Sequence, residues 1–268
     1  LMLHKLVIVR GTQTIDHTRT APVRLLQREA RLEQGVYSGV VTASIVLPDV
    51  HVGDNLLLVY SIVGPTVPQR ARYSQRTLWD QPHAVARRRV TLVAPAARRV
   101  QWRWFGGADG DGPSPTETVT FGLRRLRFES RDLAAAAAEP MTPPRIPAMR
   151  QLQFSEYADW NEVARWAAHL FPADAPLPAS MAPLIARLRA LPDRGERASQ
   201  ALQWVQTEIR PCAASHAEST VRPQPPAVVV GRGWGDCKDK ALLLSSMLRE
   251  LGIDARPALA SLATRGGP

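Results

Sequence analysis

The segment from Gly233 to Gly252 predicts a loop that places Cys237 in the first turn of a helix. Asp236 suits the N-cap position, because its carboxylate can accept hydrogen bonds from the unpaired amides of the first turn. Gly252 suits the helix end, because glycine adopts the left-handed conformation at low cost. At about 100° per residue, Cys237 shares a helix face with apolar residues, so we expect its thiol to point toward the core. Those apolar residues are Ala241, Leu244, Leu248 and Leu251.

A thiol in this position is close to charges that favour its ionised form. The amides of the helix start and the ammonium groups of Lys238 and Lys240 all favour a thiolate. Asp239 adds a second acid near the positive end of the helix dipole. The alternative is that Cys237 only fills core space, since free cysteines are among the most buried residue types.

The arginine content is unevenly distributed along the 268-residue chain. Of the 34 basic residues only three are lysines, and the net charge is +10. The first 150 residues hold 21 basic and 12 acidic residues, whereas the remainder holds 13 and 12. Such a basic region can bind an acidic envelope polymer, or its arginines can simply lie on solvated strand faces. No nucleic-acid-binding motif accompanies the charge, so we expect no nucleic acid partner.

The two cysteines predict neither a disulfide framework nor a metal centre. Cys212 and Cys237 can pair in an oxidising compartment, but this would block the most promising nucleophile. Together with His216 they supply only three ligands, at no familiar zinc spacing. We therefore expect no metal and no cofactor.

The chain divides into two regions of different periodicity, and its length fits two domains. Residues 1–130 predict an antiparallel β-sandwich, because they contain β-branched runs separated by glycine and proline turns. The predicted strands are Val23–Glu33, Val36–Leu47, Leu56–Val63, Ala84–Val93, Val100–Phe105 and Thr116–Phe128. Residues 131–152 are rich in alanine and proline and predict a linker.

Residues 153–268 change to a helical period. Asp159 with Glu162, and Asp193 with Glu196, mark two helix starts. Trp160 begins the apolar stripe of the first of these helices. After the cysteine helix, Ile253–Leu262 predicts a strand. The chain has no run of 18 apolar residues, so we expect no transmembrane segment, and its start does not have the pattern of a signal peptide.

Three segments carry a resemblance to known families. Gly235–Leu244 together with Leu251–Pro257 resembles the cysteine motif of bacterial transglutaminase-like domains. Leu47–Asp54 with Tyr60–Gly64 resembles the β-sandwich domain often fused ahead of them, and Phe154–Trp160 resembles the segment that joins the two. The resemblance implies a papain-like thiol site in an α+β core.

Carried onto this sequence, the resemblance makes Cys237 the nucleophile, with Gly235, Asp236, Lys238, Asp239 and Lys240 as the surrounding motif. Trp234 matches a position that is usually aromatic, where it either lines the acyl pocket or packs the loop. The implied activity is thiol-dependent acyl transfer or peptide hydrolysis in the bacterial periplasm or cell envelope. The implied substrate is a protein or peptide, attacked at a glutamine amide or a peptide bond.

The sequence departs from the family pattern after Cys237. The family places a histidine and then an aspartate on following strands, but no histidine follows Cys237, and Asp254 comes too early to orient one. We therefore expect the chain to be truncated before these two residues and to be inactive alone. A non-catalytic envelope-binding or scaffold protein, which uses the basic β-sandwich, is the alternative.

Overall fold

A computed structural model describes residues 1–27, 36–37, 41–64, 72–106, 112–137, 149–214 and 221–260. The chain divides into two compact units. The cysteine unit comprises residues 1–68 and 170–257, and the sandwich unit comprises residues 69–169 and 258–268. Antiparallel sheets dominate the N-terminal part and helices dominate the part that follows, which confirms the predicted multi-domain fold class.

The described residues contain short strands and five α-helices. The strands are β1 Met2–Arg10, β2 Gln13–Asp16, β3 Val23–Gln27, β4 Val36–Tyr37, β5 Val41–Ile45, β6 Asn55–Ser61, β7 Ser74–Leu78, β8 Val85–Pro95, β9 Gln101–Phe105, β10 Thr116–Thr120, β11 Leu123–Leu133, β12 Gln151–Ser155, β13 Arg210–Pro211, β14 Ala213–Ala214 and β15 Trp234–Gly235. The helices are α1 Trp160–Ala168, α2 Ala182–Arg189, α3 Arg194–Glu208, α4 Pro226–Arg232 and α5 Cys237–Glu250.

The sandwich unit contains helix α1 and two three-stranded antiparallel sheets that pack around an aromatic core. One sheet has the order β10-β11-β8 and the other has the order β7-β12-β9. The rings of Phe128 from the first sheet and Phe154 from the second meet edge to face, with centroids 5.7 Å apart. The other buried members of this core are Trp79, Val100, Leu126 and Leu152. Since burial of large side chains is the dominant stabilising term, this contact holds the two sheets together.

The predicted strand Thr116–Phe128 is a hairpin and not a single strand. Thr120 pairs with Leu123, so the loop contains only Phe121 and Gly122. Their φ angles are 50° and 74°, which is the pattern of a type I′ turn. Gly122 was the only sequence signal for this turn, because phenylalanine rarely adopts a positive φ.

Two helix starts agree with the sequence prediction. The Asp159 carboxylate accepts a hydrogen bond from the Glu162 amide at 2.8 Å, and the Asp193 carboxylate accepts one from the Glu196 amide at 2.7 Å. The prediction that Trp160 joins the inward stripe of α1 is wrong, because its side chain is 82% exposed. Trp160 is the first residue of α1, where few neighbours are available to cover it.

The cysteine unit combines small sheets with a helical core. Antiparallel pairing gives the sheets β2-β1-β6 and β3-β5, whereas β4 with β14 and β13 with β15 form short parallel pairs. Helices α2 to α5 pack around a second hydrophobic core. Its buried residues are Met181, Ile185, Leu188, Ala201, Val205, Ile209, Val229, Leu243, Met247 and Leu251.

The strand predicted at Ile253–Leu262 differs from the structure over the described residues. Residues 253–260 form no strand, because no strand among the described residues pairs with this segment. The segment predicted as a linker, 131–152, contains the end of β11 and the start of β12. Residues 138–148 of this segment, like His216, lie outside the described residues. Among the residues that are described, no helix is long and apolar enough to cross a membrane.

An ion pair joins the segments that flank β7 and β12. The Asp80 carboxylate accepts hydrogen bonds from the Arg150 amide at 2.7 Å and from the Arg150 guanidinium at 2.8 Å. Burial of Asp80 opposes ionisation, but the hydrogen bonds from Arg150 outweigh this effect and lower the pKa of Asp80 below its ordinary value of 3.8.

We predict that Asp80→Asn lowers the free energy of unfolding at pH 7 by about 2 kcal/mol, because it removes a charge-assisted pair. Since the folded-state pKa is lowered, this stabilisation is fully present above pH 3.8 and is lost as the pH falls through the folded-state pKa. Urea unfolding of both proteins between pH 7 and pH 3 measures the difference. A difference that stays constant over this range would contradict the assignment. Asp174→Asn, at an exposed position, should change stability by less than about 0.5 kcal/mol.

Candidate active site

Helix α5 begins with a complete capping box around Asp236. The Asp236 carboxylate accepts hydrogen bonds from the amides of Lys238 at 3.1 Å and Asp239 at 3.2 Å. In return, the Asp239 carboxylate accepts a hydrogen bond from the Asp236 amide at 3.3 Å. These reciprocal contacts fix the first turn of α5, so the position of Cys237 at its first residue is well defined.

Cys237 is exposed, so the prediction that its thiol points into the core is wrong. The buried side of α5 instead includes Asp239, Leu243 and Met247. On a helical wheel Cys237 lies about 120° from Leu243, the centre of this row. Several rows of apolar residues on α5 compete for the core, and the buried row is the one that contains the acidic residue Asp239. The observed position leaves the thiol accessible to solvent.

The Asp239 carboxylate is a buried connection point for three segments, and the residue is only 3% exposed. It accepts a hydrogen bond from the Gln224 amide at 2.7 Å and one from the Arg232 guanidinium at 2.6 Å. Together with the contact to the Asp236 amide, these bonds tie the proline-rich loop and α4 to the start of α5. Asp239 thus does more than place negative charge at the helix start.

Arg232 and Trp234 contact each other in the connection between α4 and α5. The Arg232 guanidinium stacks on the Trp234 ring, 3.7 Å from its centroid, and also donates to the Trp234 carbonyl at 2.7 Å. The Gly233 between them has a φ of 69° and ends α4 in the left-handed conformation. β15 then pairs with β13, and the Cys212 amide donates to the Gly235 carbonyl at 3.1 Å. This stacking fits the interpretation that Trp234 packs the loop. A role of Trp234 in substrate binding stays a prediction.

The two lysines of the motif are bound to oxygen atoms. The Lys238 ammonium pairs with the Asp236 carboxylate. The Lys240 ammonium donates to the Ile209 carbonyl at 2.8 Å, and burial lowers the pKa of Lys240. The Asp236 carboxylate offsets the positive charge of Lys238, so neither lysine of the motif is left as an unpaired cation beside Cys237.

The remaining sequence candidates do not add to this site within the described residues. Cys212 and Cys237 are both free thiols. The part of the chain that the structure describes contains no group of three or more side chains suited to hold a metal ion.

Two family models match this chain. The model of the family described as a domain of unknown function with a solved structure, DUF3857, matches residues 1–137. The model of the transglutaminase-like superfamily matches residues 184–266, which include Trp234 and Cys237. Because the first match spans more than half of the chain, the chain belongs to the DUF3857 family. Both parts of the resemblance seen in the sequence are confirmed.

The fold is similar to that of the crystal structure of a "putative protease" from Parabacteroides distasonis, with a TM-score of 0.71 and 14% sequence identity. The alignment covers 94% of this chain and 49% of that chain, so this chain spans about half the length of that relative. At this identity the likeness shows the fold alone. None of the curated proteins matches this chain.

Gly235 is the position in the motif where a side chain does not fit. A Cβ atom added there would lie 2.9 Å from the Asp239 Cβ and 3.2 Å from the Val229 Cγ1. We predict that Gly235→Ala lowers the free energy of unfolding by about 1–3 kcal/mol, because Asp239 cannot move without straining its hydrogen bonds. Urea unfolding measures this effect, and an unchanged stability would contradict it.

Gly231→Ala is a matched control four residues upstream. Gly231 lies within α4, and an added Cβ would meet nothing within 4 Å. Because alanine favours the helical conformation over glycine, this substitution should raise the free energy of unfolding by about 0.5–1 kcal/mol.

Proposed function

We propose that this chain carries the catalytic cysteine of a transglutaminase-like active site, and that this nucleophile is Cys237. The observation that carries the proposal is the exposed thiol at the first residue of α5, next to amides that the Asp236 capping box holds in place. The family match over residues 184–266 supports the same assignment.

The chemistry that such a thiol supports is acyl transfer. The Cys237 sulfur forms a bond to the carbonyl carbon of a carboxamide or peptide, and the carbon–nitrogen bond breaks. The amine leaves with the proton of the thiol, and the acyl group remains on sulfur as a thioester. Water then releases an acid, or a second amine releases a new amide. A protein or peptide is therefore the proposed substrate, with either transfer or hydrolysis as the outcome.

We place this activity in the bacterial cell envelope as part of the same proposal. The Parabacteroides distasonis structure named a "putative protease" supports a peptide as substrate.

No histidine follows Cys237 in this sequence, and an imidazole is the usual group that carries the proton to the leaving amine. Thiol reactivity is therefore a more direct test of the proposal than turnover.

The test measures alkylation of Cys237 by iodoacetamide at pH 7 in a Cys212→Ser chain. We predict that the folded protein reacts about fivefold faster than the same chain in concentrated urea, because only the folded chain places Cys237 at the first residue of a helix, a position typical of reactive cysteines. Mass spectrometry of the alkylated peptide gives both rates.

The reciprocal variant, Cys237→Ser with Cys212 retained, provides the control. Its remaining thiol, that of Cys212, lies outside α5 and should show no acceleration on folding. Equal or slower alkylation of Cys237 in the folded chain would refute the nucleophile assignment.

A further inference from the structure

One face of the β10-β11-β8 sheet carries a dense cluster of arginines, which we call the arginine face. Alternate residues of a strand point to the same side, and directly paired residues share a side. Arg89 pairs with Glu129, and Arg87 pairs with Arg131. Arg125 and Arg127 precede Glu129 at alternate positions along β11. The arginine face thus consists of Arg87, Arg89, Arg125, Arg127 and Arg131 around Glu129.

Glu129 is the only acidic side chain that these described strands place among the five arginines. Its carboxylate accepts hydrogen bonds from Arg87 at 3.0 Å and from Arg89 at 2.9 Å. Arg127 donates to it at 2.6 Å and 3.2 Å, and Arg131 lies 3.7 Å away. Hydrogen bonds from Arg127 and then Arg89 lower the pKa of Glu129. A single carboxylate therefore organises four guanidinium groups while offsetting the charge of one.

The arginines keep donors available to solvent. The side chains of Arg87, Arg89 and Arg127 are 40–47% exposed, and that of Arg131 is 70% exposed. Each guanidinium has five N–H donors, far more in total than two carboxylate oxygens can accept. Like charges on neighbouring strands, about 5 Å apart, repel each other, and an additional anion would relieve this repulsion.

The spacing of the arginine face fits a long ligand with repeated negative charges. From Arg125 to Arg131 the row on β11 extends about 20 Å, at the usual rise of a strand. Threonines share this side of the sheet and offer hydroxyl groups for further hydrogen bonds. They are Thr91 on β8 and Thr116, Thr118 and Thr120 on β10.

Aromatic side chains are scarce on this face, which argues against single-stranded nucleic acid as the partner. Apart from Phe121 in the β10–β11 turn, the described residues of these strands place no aromatic ring on this side of the sheet. Proteins that bind single strands stack successive bases on several aromatic rings.

We propose that the arginine face binds a linear polysaccharide that carries carboxylate groups. The arrangement around Glu129 already shows guanidinium groups binding one carboxylate, which is the geometry that such a polymer would extend to its own acidic groups. This site lies on the sandwich unit and does not depend on the chemistry of Cys237.

The test measures binding of polygalacturonate to the 268-residue chain by isothermal titration calorimetry at low ionic strength. We expect binding that weakens as salt is added, since exposed charge pairs are screened. Arg87→Gln with Arg89→Gln should weaken it by about tenfold, because two charge-assisted contacts are lost. Arg125→Gln, which leaves the contacts of Glu129 intact, should also weaken binding. Neutral dextran should not bind.

The matched control is Arg76→Gln with Arg103→Gln, which removes the same charge from the outer strands β7 and β9 of the other sheet. It should change the affinity by less than about twofold. The proposal fails if polygalacturonate does not bind or if this control weakens binding as much as the Arg87 and Arg89 pair. Tighter binding of polyphosphate or of poly(dT) through the same arginines would assign the face to a phosphate polymer or a nucleic acid instead.

Discussion

The buried carboxylate of Asp239 is the interaction on which the candidate site depends. A charged group at 3% exposure is costly unless its oxygens are paired. Here the Arg232 guanidinium and the amides of Gln224 and Asp236 provide those partners. Each donor belongs to a different segment, so one carboxylate determines where the proline-rich loop, α4 and α5 meet. This arrangement determines the position of Cys237, whose exposed side chain takes no part in these hydrogen bonds.

The position of the Asp239 side chain also explains why residue 235 is a glycine. The chain between α4 and α5 must pass close to Asp239, and the added Cβ distance of 2.9 Å shows that only glycine fits. Arg232 and Trp234, on either side of Gly233, stack on each other just before Gly235. The motif around Cys237 therefore mainly determines the path of the backbone between α4 and α5, and the Cys237 thiol lies at its exposed end.

Local features were predictable from the sequence, whereas features that need a distant partner were not. The N-caps Asp159, Asp193 and Asp236 were correct, because a cap is satisfied within three residues of its own position. The strand expected at Ile253–Leu262 was wrong over the described residues 253–260, since pairing depends on another part of the chain.

The prediction that the Cys237 thiol points into the core was wrong for a related reason. Helix α5 contains more apolar residues than one helix face can hold. Only the tertiary contacts of Asp239 reveal which side is buried. The arginine face had a partial sequence signal in the charge excess of the first 150 residues. The sequence could not show that these arginines surround Glu129, because their proximity depends on the pairing of β8 with β11.

Amide hydrogen exchange in an Asp239→Asn chain tests most directly whether this carboxylate orders the site. Pro223, Pro225 and Pro226 have no amide hydrogen, so Gln224 is the reporter within that part of the loop. We expect the Gln224 and Asp236 amides to exchange about tenfold faster than in the unaltered chain, because each donates to the lost charge. Asp254→Asn, where the side chain is 80% exposed, should leave both rates unchanged. Unchanged exchange at Gln224 and Asp236 in the Asp239→Asn chain would contradict the account.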